Sequence, residues 1–167
     1  MNDRLAALEA RLGALEDERA IRDLISSYGP LVDDGAADEV AGLWSADGVY
    51  DVDGYRMEGR GEIAEMVRSD PHRTLIARGC AHFQGPVHVT VSGDAATAAG
   101  YSLLIVHRPD GFGVARATAH HWELSRSADG WEAVARTSRA LDGEEFAHAL
   151  GAAAVRGESV PWPDRAG

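Results

Sequence analysis

The chain of 167 residues contains no lysine; all sixteen of its cationic side chains are arginine. Chemistry that runs through a lysine amine, such as Schiff-base and pyridoxal phosphate catalysis, is excluded. Cysteine is nearly absent as well. The single Cys80 can close no internal disulfide and cannot furnish a cysteine-rich zinc site, which needs several ligands at set spacing. No apolar run approaches the roughly 20 residues that cross a bilayer, and the opening stretch MNDRLAALEARLGALEDER is charged throughout, unlike a signal-peptide core. A soluble, cytoplasmic protein with no membrane partner is expected. The net charge of −11 and the scattered arginines also oppose a phosphate-rich partner, nucleic acid included.

Hydrophobic residues make up 45% of the sequence, enough for one core and one domain. Leu5, Leu8, Leu12 and Leu15 recur at helical spacing, too short a run for a coiled coil and expected to pad the domain or a neighbouring subunit, and Ile21, Leu24, Ile25 and Tyr28 continue a stripe after a short break around Glu16-Asp17-Glu18. Gly29-Pro30 is expected to kink or stop that helix, because proline lacks an amide donor and disfavours a helical residue before it. Asp33-Asp34-Gly35 makes an acidic corner, and Val40, Leu43 and Trp44 mark a second short helix. Asp53-Gly54 after the strand-like Val49–Val52 is the strongest hairpin signal. A third helix carries Ile63, Met66 and Val67 and closes at Pro71. From Leu75 the chain reads as extended, with turns at Ser92-Gly93-Asp94, Pro109-Asp110-Gly111 and Ala128-Asp129-Gly130, followed by a last helix over 144–155. Helices ahead of a long meander describe an α+β cone whose curved sheet wraps an interior cavity. Residues 1–19 read as a helical arm, 20–142 as the domain, and 143–167 as a C-terminal helix and tail.

The chemistry-bearing residues centre on His82-Phe83, about fifty residues after Asp33-Asp34. A neutral imidazole oriented by a carboxylate is a proton-transfer base near neutral pH. Asp33 could instead cap the following helix, and Tyr28 could be a core ring or an acid. His120 and His121 are adjacent in a strand, so their side chains leave by opposite faces and cannot readily chelate one ion together. No metal site is expected. Cys80 shares a strand face with His82 and reads as a small hydrophobe. Trp44, Trp122 and Trp131 read as core.

The segments AIRDLISSY, VDDGAADEVAGLWSADGVYD, GRGEIAEMV, CAHFQGPVHVTVSGDAATAAGYSLLIVHR and HHWELSRSADGWEAVAR together resemble the SnoaL-like branch of the nuclear transport factor 2-like superfamily, over residues from about Ala20 to Asp142. Its lyases, scytalone dehydratase, bile acid 7α-dehydratase and hexachlorocyclohexane dehydrochlorinase, work without cofactors. The resemblance implies a dehydratase-like lyase in which His82 is the base, Asp33 its orienting carboxylate, and Tyr28 and His107 further active-site groups. Tyr50, Trp44, Phe83, Arg116, His121 and Arg139 are expected against an apolar cyclic substrate such as a steroid, terpenoid or polyketide derivative. The chain departs from the dehydrochlorinase in having no lysine near Tyr28, and from scytalone dehydratase at Val32 and Ala119. Two other readings fit the same branch: an isomerase or cyclase with Asp51 or Asp53 as base, and a noncatalytic binding module or small subunit of an aromatic-ring dioxygenase. A homo-oligomer, dimer or trimer, is expected under each.

Overall fold

The computed structural model describes residues 2–158. Its first element, α1 (Asn2–Asp34), is a single helix of 33 residues that joins the expected arm to the first helix of the domain. Gly29-Pro30 does not stop it. Pro30 is exposed, so the carbonyl that loses its partner there faces water, and the ring's fixed φ suits a helix. Gly29 is buried where α1 crosses the third strand, and a Cβ at this position would lie 2.2 Å from the His82 carbonyl oxygen. The dipeptide that reads as a helix stop is therefore the point of closest helix-to-sheet approach.

A short α2 (Ala37–Gly42) leads into β1 (Trp44–Val52), so Trp44 opens a strand and does not belong to the helix. Asp53-Gly54 turns β1 into β2 (Tyr55–Glu58), with Asp53 at φ 49° and Gly54 at φ 86° as this tight hairpin demands. Helix α3 (Gly59–Arg68) buries Ile63, Ala64 and Val67. Pro71 does not close it. Ser69 ends α3 and caps α4 (Asp70–Arg78) by accepting from the His72 amide, and Pro71 sits in the first turn of that new helix, where its missing amide costs nothing. Residues 75–78 are thus helical, and extended chain begins only at β3 (Cys80–Ser92). The meander continues as β4 (Ala95–Arg108), β5 (Gly111–Ser127) and β6 (Gly130–Ala140), with turns where the sequence places them, and α5 (Glu145–Val155) follows. Residues 159–167, most of the expected tail, lie outside the described residues.

The six strands form one curved sheet in the order β2-β1-β6-β5-β4-β3, antiparallel except for the parallel β1–β6 pair. The sheet curls around α1, α2 and α3, burying Ile21, Ile25, Val32, Val40, Trp44, Ile63, Trp122 and Leu124 between them. Burying these large apolar side chains, at about 1.5–3 kcal/mol each, drives the closure. Helix α5 covers the opposite face of β4 and β5, where Thr97 donates to the Ala154 carbonyl. No described helix is long and apolar enough to cross a membrane.

Candidate active site

The last turn of α1 delivers Asp33 to the start of β3. One carboxylate oxygen lies 2.6 Å from His82 Nδ1, and the other accepts from the His82 backbone amide at 2.8 Å. Side chain and backbone of one residue are thus held by one carboxylate. This fixes the ring and favours the tautomer with the proton on Nδ1, leaving Nε2 as the free nitrogen. Asp33 makes no cap for α2, whose N-cap Ala36 has no side-chain bond, and its neighbour Asp34 is exposed. The Cys80 thiol donates to the same Asp33 oxygen at 3.4 Å. Burial, then the Asp33 hydrogen bond and charge, push this thiol up to about 11, so it stays protonated and serves as a donor. Asp33, Cys80 and His82 present ligand atoms within 4.8 Å of one another; a cation there would have to displace two hydrogen bonds and a thiol proton. His72 of α4 stacks on His82 with ring centroids 5.5 Å apart. Burial is the main cause that holds His72 below the ordinary histidine range, with the nearby His82 adding to it.

His82 lines a cavity of about 330 Å³. Strand register explains which residues share it. His82 pairs with Leu104 and Gln84 with Ser102; Ser102 pairs with Thr118, Leu104 with Arg116, and Gly100 with His120; His120 pairs with Ser138, which pairs with Val52, and Tyr50 pairs with Arg136. Side chains of laterally paired residues project to one face, and all of these except Gly100 line the cavity. Its walls near the hairpin and α3 are apolar, from Val52, Met57 and Met66. Its inner end is polar. His120 is buried with Ser102 Oγ 2.6 Å from Nε2 and Ser138 Oγ 2.7 Å from Nδ1. Burial, then the Arg136 and Arg116 charges, hold His120 well below the ordinary histidine range and hence neutral. Arg136 lies among the rings of Tyr28, Tyr50 and Trp122, its guanidinium carbon 4.2, 4.6 and 4.2 Å from their centroids. Burial and the neighbouring Tyr50 push the Tyr28 phenol far above the usual tyrosine range, so it is a permanent donor.

Of the residues singled out from the sequence, His82, Tyr28, Tyr50, Arg116 and the alternative base Asp53 line the cavity, with Asp33 directly behind His82. Arg116 sits at the mouth, paired with Asp53 at 2.5 Å. Five others lie elsewhere. Phe83 is on the opposite strand face, 53% exposed. His107 is exposed near the end of β4, its ring 5.1 Å from Phe112. His121 faces α5's side of the sheet, where Nε2 meets the Glu158 carbonyl at 2.8 Å. Arg139 pairs with Asp51 and lies 5.5 Å from Phe146, also outside the cavity, and this pairing occupies the Asp51 carboxylate as well. Trp44 is wholly buried behind Tyr28 and Tyr50 as a core ring. Three cavity residues, His72, Ser102 and Arg136, are not expected from the sequence, and His120 is weighed there only as a metal ligand beside His121. The observed strand register brings Ser102, His120 and Arg136 into the cavity with His82, but no sequence signal marks that register; His72 carried no signal beyond its place three residues after Ser69.

Comparison with known proteins places this architecture. A model of the SnoaL-like domain matches residues 13–137. A nuclear transport factor 2-like protein with a cystatin-like fold from Novosphingobium aromaticivorans is 46% identical, with a TM-score of 0.86 over 87% of this chain and 96% of that one. A provisionally assigned aromatic ring hydroxylase from the same organism is 28% identical, with a TM-score of 0.60 over 76% of this chain and 90% of its own. A function-unknown protein from Mycobacterium tuberculosis shares the fold at 21% identity and TM-score 0.69, over 92% and 95% of the two chains. No curated protein matches the chain. With three quarters of its length matched and the curved sheet enclosing a cavity beside α1, the chain belongs to the SnoaL-like family of the nuclear transport factor 2-like superfamily.

Proposed function

We propose that the protein is a dehydratase-type lyase acting on a small, largely apolar ring compound, with His82 as the proton acceptor. The observation that carries this reading is the Asp33 carboxylate 2.6 Å from His82 Nδ1, with the ring's other edge toward the cavity. In the reaction, His82 Nε2 takes a proton from a carbon next to the one bearing the hydroxyl. The C–H electron pair becomes the new double bond as the C–O bond breaks. The leaving hydroxyl departs as water with the proton returned from the imidazolium, so no external acid is consumed. Asp33 stabilises the transient imidazolium, and the Tyr28 phenol, held protonated, is a donor for the departing oxygen. This family covers isomerases, cyclases and dehydratases, and the chemistry proposed needs no group beyond these side chains.

The test is turnover against a panel of cyclic β-hydroxy ketones and acids, followed by mass spectrometry. Loss of one water in the wild type, abolished in a folded His82→Ala variant, is the expected result. A product of unchanged mass would replace elimination by isomerisation, and full activity in His82→Ala would remove His82 from the mechanism.

A further inference from the structure

Resting on the reading of the cavity as a substrate site, we infer that the ligand carries an anionic oxygen group, a carboxylate or phenolate, received by Arg136 at the cavity's inner end. Arg136 is 1% exposed and lines the cavity, and its Nε and Nη1 are buried with no hydrogen-bond partner among the described residues. Its remaining donor, Nη2, lies 3.3 and 3.4 Å from the two ring nitrogens of His120. Among the described residues no carboxylate pairs with it. A buried guanidinium without a counter-charge is costly, and the aromatic rings around it offset that cost only in part. His120, held neutral, supplies no negative charge. The other cavity arginine, Arg116, is already paired with Asp53. Arg136 is therefore the cation left to be answered by whatever fills the cavity, and a planar guanidinium suits a carboxylate or phenolate oxygen. Ser102 and Ser138 each bond one ring nitrogen of neutral His120, so the serine that accepts from the ring N–H keeps its own hydroxyl proton as one further donor beside Arg136.

Calorimetric titration with 2-naphthoate and its neutral isostere 2-naphthamide tests this without turnover. The wild type should bind the acid at least about tenfold tighter than the amide. That preference should persist in His82→Ala, which separates this inference from the lyase reading, and vanish in Arg136→Met. Equal affinity for the two probes in the wild type, or no binding of either, overturns the inference without any variant. A preference retained in folded Arg136→Met also overturns it.

The first half of α1 points to a second, independent inference. Leu5, Leu8, Leu12 and Leu15 are 58, 51, 56 and 63% exposed. The domain holds the other side of the helix: Asp17 is partly buried there and accepts from Arg126 at 2.8 Å and from Trp131 at 3.1 Å. At 100° per residue the leucine stripe lies nearly opposite that side, so the described residues of its own domain leave it uncovered. The four leucines fill successive a and d positions of two heptads. The flanking g positions are then Arg4 and Arg11, and the e positions are Glu9 and Glu16. None of these four is in an ion pair among the described residues. In a parallel pair of helices each g residue meets the e' residue five places on, so Arg4 meets Glu9 and Arg11 meets Glu16 of the other copy. An antiparallel pair would set arginine against arginine and glutamate against glutamate. The geometry points to a second copy of this chain, packed parallel and in register along α1.

Disulfide trapping in the full chain, with Cys80→Ser as background, reads both partner and direction. Leu8→Cys should oxidise to a cross-linked dimer in high yield. A mixture of Leu5→Cys and Leu15→Cys should give no cross-link between the unlike positions. No cross-link at Leu8→Cys, or efficient joining of positions 5 and 15, overturns the inference.

Discussion

Gly29→Ala is the substitution whose outcome depends most on the close passage of α1 over β3. An alanine Cβ would meet the His82 carbonyl oxygen at 2.2 Å, where ordinary contact begins near 3.4 Å. The obstructing atom is backbone, so no rotamer can yield, and α1 must part from β3 by about 1 Å. Overpacking of this kind costs about 1–3 kcal/mol, with an immovable neighbour at the upper end, while alanine's helix propensity offsets about 1 kcal/mol. A net loss of about 2 kcal/mol follows, or about 1 M in the urea midpoint at a slope near 2 kcal/mol per M. Gly13→Ala is the internal control, because it lies in the same helix with nothing within 4 Å of a Cβ; it should gain stability from propensity alone. The parting would also lengthen the Asp33–His82 contact, so Gly29→Ala should lose activity beyond its stability loss. Equal stabilities for the two alanine variants would refute the close-approach argument.

Asp33→Asn removes the negative charge that helps raise the Cys80 thiol to about 11. Burial, the largest cause, remains, so the thiol should fall only part of the way toward its ordinary value and iodoacetamide alkylation at pH 8 should be faster than in the wild type; an unchanged rate would mean that Asp33 does not engage Cys80. His120 supplies a pH dependence with a definite sign. Its folded-state pKa is depressed chiefly by burial, so its contribution to stability is complete above the unfolded value near 6.5 and is lost as pH falls below it. His72 acts in the same direction. Urea midpoints should therefore decline from pH 7 to pH 5, with a slope of up to about 1.4 kcal/mol per pH unit from one such group, and the decline should flatten in His120→Gln. A His120→Gln curve as steep as wild type would remove His120 as the cause.

The general architecture is legible because its signals are local. Asp53-Gly54 and the three glycine- or aspartate-bearing turns fix the hairpins, whereas the pairing of Asp33 with His82 is long-range and is implied only by the family resemblance. The misreadings share a different origin. Gly29-Pro30 and Pro71 read as stops because the sequence cannot show that a glycine is needed for close approach, or that a proline begins the next helix. Which of His120 and His121 faces the cavity turns on strand parity. Counting back from the Ala128-Asp129 turn with Ser127 opposite Gly130 would place His121 opposite Arg136, whereas the register shift between Glu123 and Leu124 sets His121 against Thr137 and His120 against Ser138. One extra residue in a strand sends every later side chain to the other face. Similar shifts interrupt the β3–β4 and β4–β5 pairs, so cavity residues could not be counted outward from the turns.

The most direct test of the central claim, an imidazole held by Asp33 so that Nε2 is free to take a proton inside the cavity, is the tautomer of His82. Long-range ¹H–¹⁵N correlation at pH 8 on histidine-labelled protein, with the resonance assigned through His82→Ala, reads it. The account predicts a neutral ring protonated on Nδ1, and loss of that fixed tautomer in Asp33→Asn. A ring protonated on Nε2, or a tautomer indifferent to Asp33, would contradict it.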